Sequence, residues 1–138
     1  MVDFLISHIT CIVCVRLGLD NVDEEYFSGI RKIFDIKQCV GMMGGKKNKA
    51  LYFVGHEGEN LIFLDPHYVT DAVKKSDVDD FDVSSYTCNV PKKLSMRHLD
   101  PCLAFGFLAK DSIDFDELID SLKTLKKEEP NFTIISSI

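Results

Sequence analysis

The chain has 138 residues, 46% of them hydrophobic and 28% charged, which fits one soluble globular domain long enough for a real core. Sixteen Lys and Arg against 22 Asp and Glu leave a net charge of −6. No Lys/Arg stripe with interleaved aromatics is present, which argues against nucleic acid and against an anionic membrane surface. Five cysteines, an odd count without framework spacing, are expected as reduced thiols in the cytosol. The apolar stretch 1–15 carries Asp3 in place of a basic region, and no apolar run of about 18 residues follows. Neither a signal peptide nor stable membrane insertion is expected.

In chain order, the β-branched run Ile9–Val15 predicts a buried strand. Asp20 or Asn21 then caps a helix over 23–34, with Asp23, Glu24 and Glu25 in its first turn, where the helix dipole favours anions. Tyr26, Phe27, Ile30, Ile33 and Phe34 fall at helical spacing. The glycine-rich stretch 39–48 predicts a flexible loop. Strands follow at 50–54 and 61–64, joined by a hairpin turn at His56–Asn60. Residues 68–85 are polar and read as irregular. One helical turn is expected at Ser95–Leu99, a strand at Leu103–Leu108, and an amphipathic helix at 111–129. That helix carries Ile113, Phe115, Leu118, Ile119, Leu122 and Leu125 on one side. Phe132–Ile135 predicts a last short strand. Two flanking helices and about five strands, several joined by hairpins, define an α+β fold with a mostly antiparallel sheet.

The stretch Leu61-Ile-Phe-Leu-Asp-Pro-His67 carries the chemistry. Asp65 and His67 are two apart, so on an extended backbone their side chains leave on the same face. Pro66 fixes its own φ and pushes Asp65 toward an extended conformation. A carboxylate beside an imidazole at a strand end is the orienting half of a nucleophile–His–acid triad. The plain alternative is an ordinary Asp-Pro turn.

Other motifs are weaker. Cys11-x-x-Cys14 lies on a strand, where i and i+3 face opposite ways, and no second ligand pair follows, so two core cysteines are the expectation and no metal site is implied. Gly41-x-x-Gly44-Gly45-Lys46-Lys47 fails the spacing of a phosphate loop and precedes a strand; a loop beside a site can act as a lid. Asp100-Pro101-Cys102 is a turn into a strand. His8, His56 and His98 are isolated surface or turn residues. Phe132-x-x-Ile135, with Glu128 and Glu129 upstream, reads first as a terminal strand or a frayed tail, and second as a peptide that adds to a partner's sheet.

Taken together, Arg16-Leu-Gly-Leu19, Gly41-Met-Met-Gly-Gly-Lys-Lys-Asn48, Ala50-Leu-Tyr-Phe-Val-Gly55, Leu61–His67, Ser95-Met96, Leu99-Asp-Pro101 and Gly106-Phe107 resemble, in order and spacing, the autophagins. These are papain-like cysteine peptidases of autophagy. The resemblance covers about Ile9 to Leu125 and leaves 126–138 as a tail. It implies a cytoplasmic thiol peptidase that needs no cofactor. Such an enzyme trims the C-terminus of the ubiquitin-like autophagy modifier to a terminal glycine and releases that modifier from phosphatidylethanolamine. The family's catalytic Asp and His fall on Asp65 and His67. Its substrate-gating loop falls on 41–48, including Gly44, Gly45 and Lys46. Lys47 stands where the family usually has proline, and Lys49 where a small residue is common.

The family's nucleophilic Cys lies farther upstream than the 64 residues before Asp65 can hold. None of Cys11, Cys14 or Cys39 follows a glycine-rich turn at a helix start, as a low-pKa nucleophile would. The resemblance therefore implies a partial, C-terminal piece of a papain-like domain, inactive alone. A non-catalytic module that holds the modifier is the alternative. A half-domain also exposes a sheet edge and apolar surface, so association is expected.

Overall fold

A computed structural model describes residues 8–69, 84, 87–132 and 134. Six strands form one sheet in the order β1-β6-β2-β3-β4-β5, and every pairing is antiparallel. They are β1 (Ile9–Arg16), β2 (Cys39–Lys46), β3 (Lys49–Glu57), β4 (Asn60–Leu64), β5 (Lys92–Ser95) and β6 (Cys102–Ala109). Two helices, α1 (Phe27–Phe34) and α2 (Ser112–Glu128), complete the α+β fold.

Both helices cover the same face of the sheet. α1 inserts Ile30 and Ile33, and α2 inserts Leu118, Leu122 and Leu125, against Met42, Phe53, Leu103, Phe105 and Phe107 from the strands. β6 shows why: its even positions are part-exposed while Leu103, Phe105, Phe107 and Ala109 are buried, the period of two that a one-sided core requires. α2 is started by two reciprocal bonds. The Asp111 carboxylate accepts from the Asp114 amide, and the Asp114 carboxylate accepts from the Lys110 amide. Asp114 thereby turns inward, and Ile113, expected on the buried side, is 71% exposed.

The opposite face has no helix among the described residues. Register places Ile12 beside Gly106, Ala104 beside Met43, and Tyr52 beside both Met43 and Leu64, so these residues share that face. Ile12, Val40, Met43 and Leu64 are all exposed there.

Several expectations are corrected. The glycine-rich stretch is not a loop: Cys39–Lys46 is β2, between β6 and β3. Glycines suit it because the neighbours come too close for a side chain. A Cβ on Gly44 would run into the Leu103 side chain, and one on Gly45 (φ +156) into the Lys49 carbonyl across the hairpin. Neither Asp20 nor Asn21 caps a helix. Leu17 and Val22 are buried and bond to Pro101 and Leu99, which holds 17–22 as an ordered loop. The helical path begins with a 3-10 turn at Glu24–Tyr26. β5 was not foreseen, because Lys-Lys-Leu-Ser offers a single apolar residue. The cysteines of Cys11-x-x-Cys14 do face opposite ways, but only Cys11 is part-buried; Cys14 is exposed.

Phe132 lies in no strand. Its ring is 2% exposed, set edge-on against Phe105 at 6.1 Å and over Gly29. That side chain belongs to the core and is not free to anchor a partner's sheet. Ile135, and nearly all of 70–86, lie outside the described residues.

Candidate active site

β4 ends at Leu64, and the chain turns through Asp65-Pro66-His67. Asp65 and His67 meet as their spacing requires. The His67 ring donates from Nδ1 to Asp65 Oδ1 at 2.7 Å, and the His67 backbone N–H donates to the same oxygen at 3.1 Å. With Nδ1 committed to the acid, Nε2 is the nitrogen left to exchange a proton. No described residue bonds it. The Asp65 carboxylate is nearly buried, at 4% exposure, and the imidazole is half exposed. A buried acid holding an accessible ring fixes the ring's tautomer and leaves its working edge to a substrate.

The other Asp65 oxygen is also taken. Lys49, the first residue of β3, donates from Nζ to Oδ2 at 2.7 Å. Lys49, then the two bonds from His67, hold the Asp65 carboxyl far below its ordinary range, so it stays ionised. Asp65 in turn raises the Lys49 ammonium above its ordinary value.

His67 opens onto a depression of about 870 Å³. Gly44, Gly45, Lys46, Asn48 and Lys49 of the β2–β3 hairpin form one wall, and Asp100 and Cys102 another. Gly44, Gly45 and Lys46, expected in a gating loop, are thus strand residues that flank the dyad, and only Lys47 and Asn48 make the turn. Asn48 takes the left-handed φ of 65° that such a tight turn needs.

Cys14 and Cys102 also line the depression. Both are on strands, and Cys102 lies 3.7 Å from an Arg16 nitrogen. Neither sits at a helix N-terminus. Among the other histidines, His56 is bound to Asp35 at 3.3 Å on β3, away from the dyad. No cluster of three or more metal-ligating side chains exists among the described residues. No described helix is long and apolar enough to cross a membrane.

Comparison with known proteins decides the family. The catalytic-domain model of peptidase C54 matches residues 3–121. The chain belongs to the peptidase C54 family. It is 33% identical over 131 residues to cysteine protease atg4da of Danio rerio, covering 92% of this chain and 27% of that protein. It is 35% identical over 130 residues to cysteine protease ATG4C of Homo sapiens, covering 91% and 28%. With cysteine protease atg4 of Dictyostelium discoideum the identity is 33% over 123 residues, covering 88% and 16%. The chain therefore spans less than a third of the length of these C54 relatives. Its one-sided sheet is a partial papain-like α+β domain.

The Lys49–Asp65 contact is the site feature that motif reading did not supply. Lys49 was legible only as a departure from the family's usual small residue.

Proposed function

We propose that this chain is the acid–base part of an autophagin-type thiol peptidase. His67 Nε2 takes the proton from a cysteine thiol and then gives it to the leaving amine, while Asp65 orients the ring and balances the imidazolium. The thiol comes from polypeptide outside this chain, because none of the five cysteines heads a helix or follows a glycine-rich turn. The substrate is the C-terminal tail of the ubiquitin-like autophagy modifier, free or joined to phosphatidylethanolamine. The depression beside His67, walled by the β2–β3 hairpin, receives that tail. The single observation that carries this reading is the 2.7 Å bond from the His67 ring to a nearly buried Asp65.

A chimera tests it. The segment of human ATG4C that matches this chain is replaced by the chain itself, and the product is assayed on modifier with a C-terminal extension. Cleavage is expected, and His67→Ala lowers its rate about a thousandfold or more. A folded chimera that does not cut, or whose cutting survives His67→Ala, overturns the reading. The isolated chain is expected not to cut.

The strand setting of all the described cysteines except the exposed Cys88 favours one second reading, a module that holds the modifier without cutting it. It requires the isolated chain to bind the modifier with an affinity that His67→Ala leaves unchanged.

A further inference from the structure

Orienting a ring takes more than one hydrogen bond. A carboxylate held at one oxygen still swings about its own axis, and the imidazole swings with it. At Asp65 both oxygens are engaged, by groups from two elements: Oδ1 by the ring and backbone of His67, and Oδ2 by Lys49 Nζ at 2.7 Å.

The fold delivers Lys49 there through two devices. Gly45 and Asn48, both at positive φ, let the β2–β3 hairpin close tightly enough to start β3 at Lys49. A bulge at Val54 then resets the β3–β4 register. Beyond the bulge Gly55 pairs with Ile62, and before it Phe53 pairs with Phe63 and Tyr52 with Leu64. The ladder ends at that pair, and the turn Asp65-Pro66-His67 follows it directly, where Lys49 at the start of β3 reaches the Asp65 carboxylate.

We propose that Lys49 is a positioning residue for His67: its ammonium pins the far oxygen of Asp65, fixing the carboxylate that orients the ring. The proposal rests on the acid–base reading of the dyad. The pin needs a hydrogen-bond donor at Asp65 Oδ2.

The charged and titratable groups around His67 come from four places. Asp65 is on its own segment, and Lys46 and Lys49 are on the hairpin. Asp100 and Cys102 come from the turn into β6, and Cys14 from β1. Of these, Lys49 is the cation bonded to the carboxylate that holds the ring.

The test uses the chain itself and needs no substrate. The His67 ring is followed by NMR at ring carbon Cε1 in the wild type, Lys49→Met, Lys49→Gln and Lys49→Arg. Broadening of the ring signals is expected in Lys49→Met, and sharp signals like those of the wild type in Lys49→Gln and Lys49→Arg, which keep a donor. A merely structural lysine would change melting temperature without broadening the ring signals. Sharp signals in Lys49→Met, or equal broadening in Lys49→Arg, overturn the proposal. An inactive chimera would instead sink the peptidase reading and leave this signature standing.

Discussion

The two faces of the sheet are built from the same six strands and end in different states. On the helix-covered face, Phe53, Phe105, Phe107, Met42 and Leu61 are fully buried. On the other face Ile12, Val40, Met43 and Leu64 remain open, and the Asp65–His67 dyad sits at the margin of that sheet. One face supplies the stability that holds the strands in register; the other carries the unmet apolar surface. The edges differ in the same way. β5 is short and begins with two lysines, a guarded edge. β1 runs eight residues with no charge before Arg16, an unguarded one.

The comparison breaks first where the covered face is damaged. Phe105 is fully buried, with Phe132 edge-on at 6.1 Å. Phe105→Ala is expected to cost about 3–5 kcal/mol, a large part of the whole stability of a small domain. Urea unfolding should lose its cooperative transition or shift to a much lower midpoint. A midpoint within the error of wild type would mean that the covered face is not the stabilising one.

Acid distinguishes two carboxylates, one serving each region. Asp114 braces the start of α2. The Lys110 amide, then Lys37 and Gln38, hold its carboxyl down at about 2, below the ordinary 3.8. A folded-state value below the unfolded one contributes stability that is fully present above about pH 4 and is lost as pH falls toward 2. Asp65, pushed lower still by Lys49 and His67, adds to the loss in the same direction. Asp114→Asn should lower the melting temperature near neutral pH and flatten its fall between about pH 4 and 2. An acid profile as steep as wild type would show that Asp114 is not its source.

What the chain showed in advance follows the physics of short range. The positions of the strands Ile9–Val15, Leu61–Leu64 and Leu103–Leu108 and of the two helices were legible from apolar runs and helical spacing, but the first two were expected to be buried, and no residue of β1 and only Leu61 of β4 is. The Asp65–His67 pair was legible because the two lie two residues apart, although a turn at Pro66-His67, with the His67 amide on the same Asp65 oxygen as its ring, brings them together in place of an extended strand. β2 was not. Its glycines signal a loop locally, and only the nearness of Leu103 and of the Lys49 carbonyl makes them strand residues. The Lys49–Asp65 contact was hidden for a sharper reason. It joins the start of β3 to a turn beyond the end of β4, two places that no strand register links. Phe132 read as part of a terminal strand or of a partner-binding tail, because its packing partners, Gly29 and Phe105, lie far away in sequence.

The smallest effect on stability, and the one that sharpens the comparison most, belongs to the open face. Ile12 is 58% exposed and Met43 46%, so replacing either removes little buried area. Ile12→Lys and Met43→Lys should each change unfolding free energy by no more than about 0.5 kcal/mol. Their effect should fall on association instead. A sheet face with several large apolar residues and an unguarded edge at β1 draws copies of the chain together, and a lysine in its middle opposes that contact by desolvation and repulsion. Sedimentation velocity is therefore expected to show wild type associating with rising concentration and the double variant shifting toward monomer at unchanged melting temperature. If wild type stays monomeric across that range, the exposed apolar face is not sticky, and the chain is better completed than its open sheet implies. If the double variant instead loses several degrees of melting temperature, Ile12 and Met43 are packing against the chain itself. The two faces would then be less unlike than their exposures indicate.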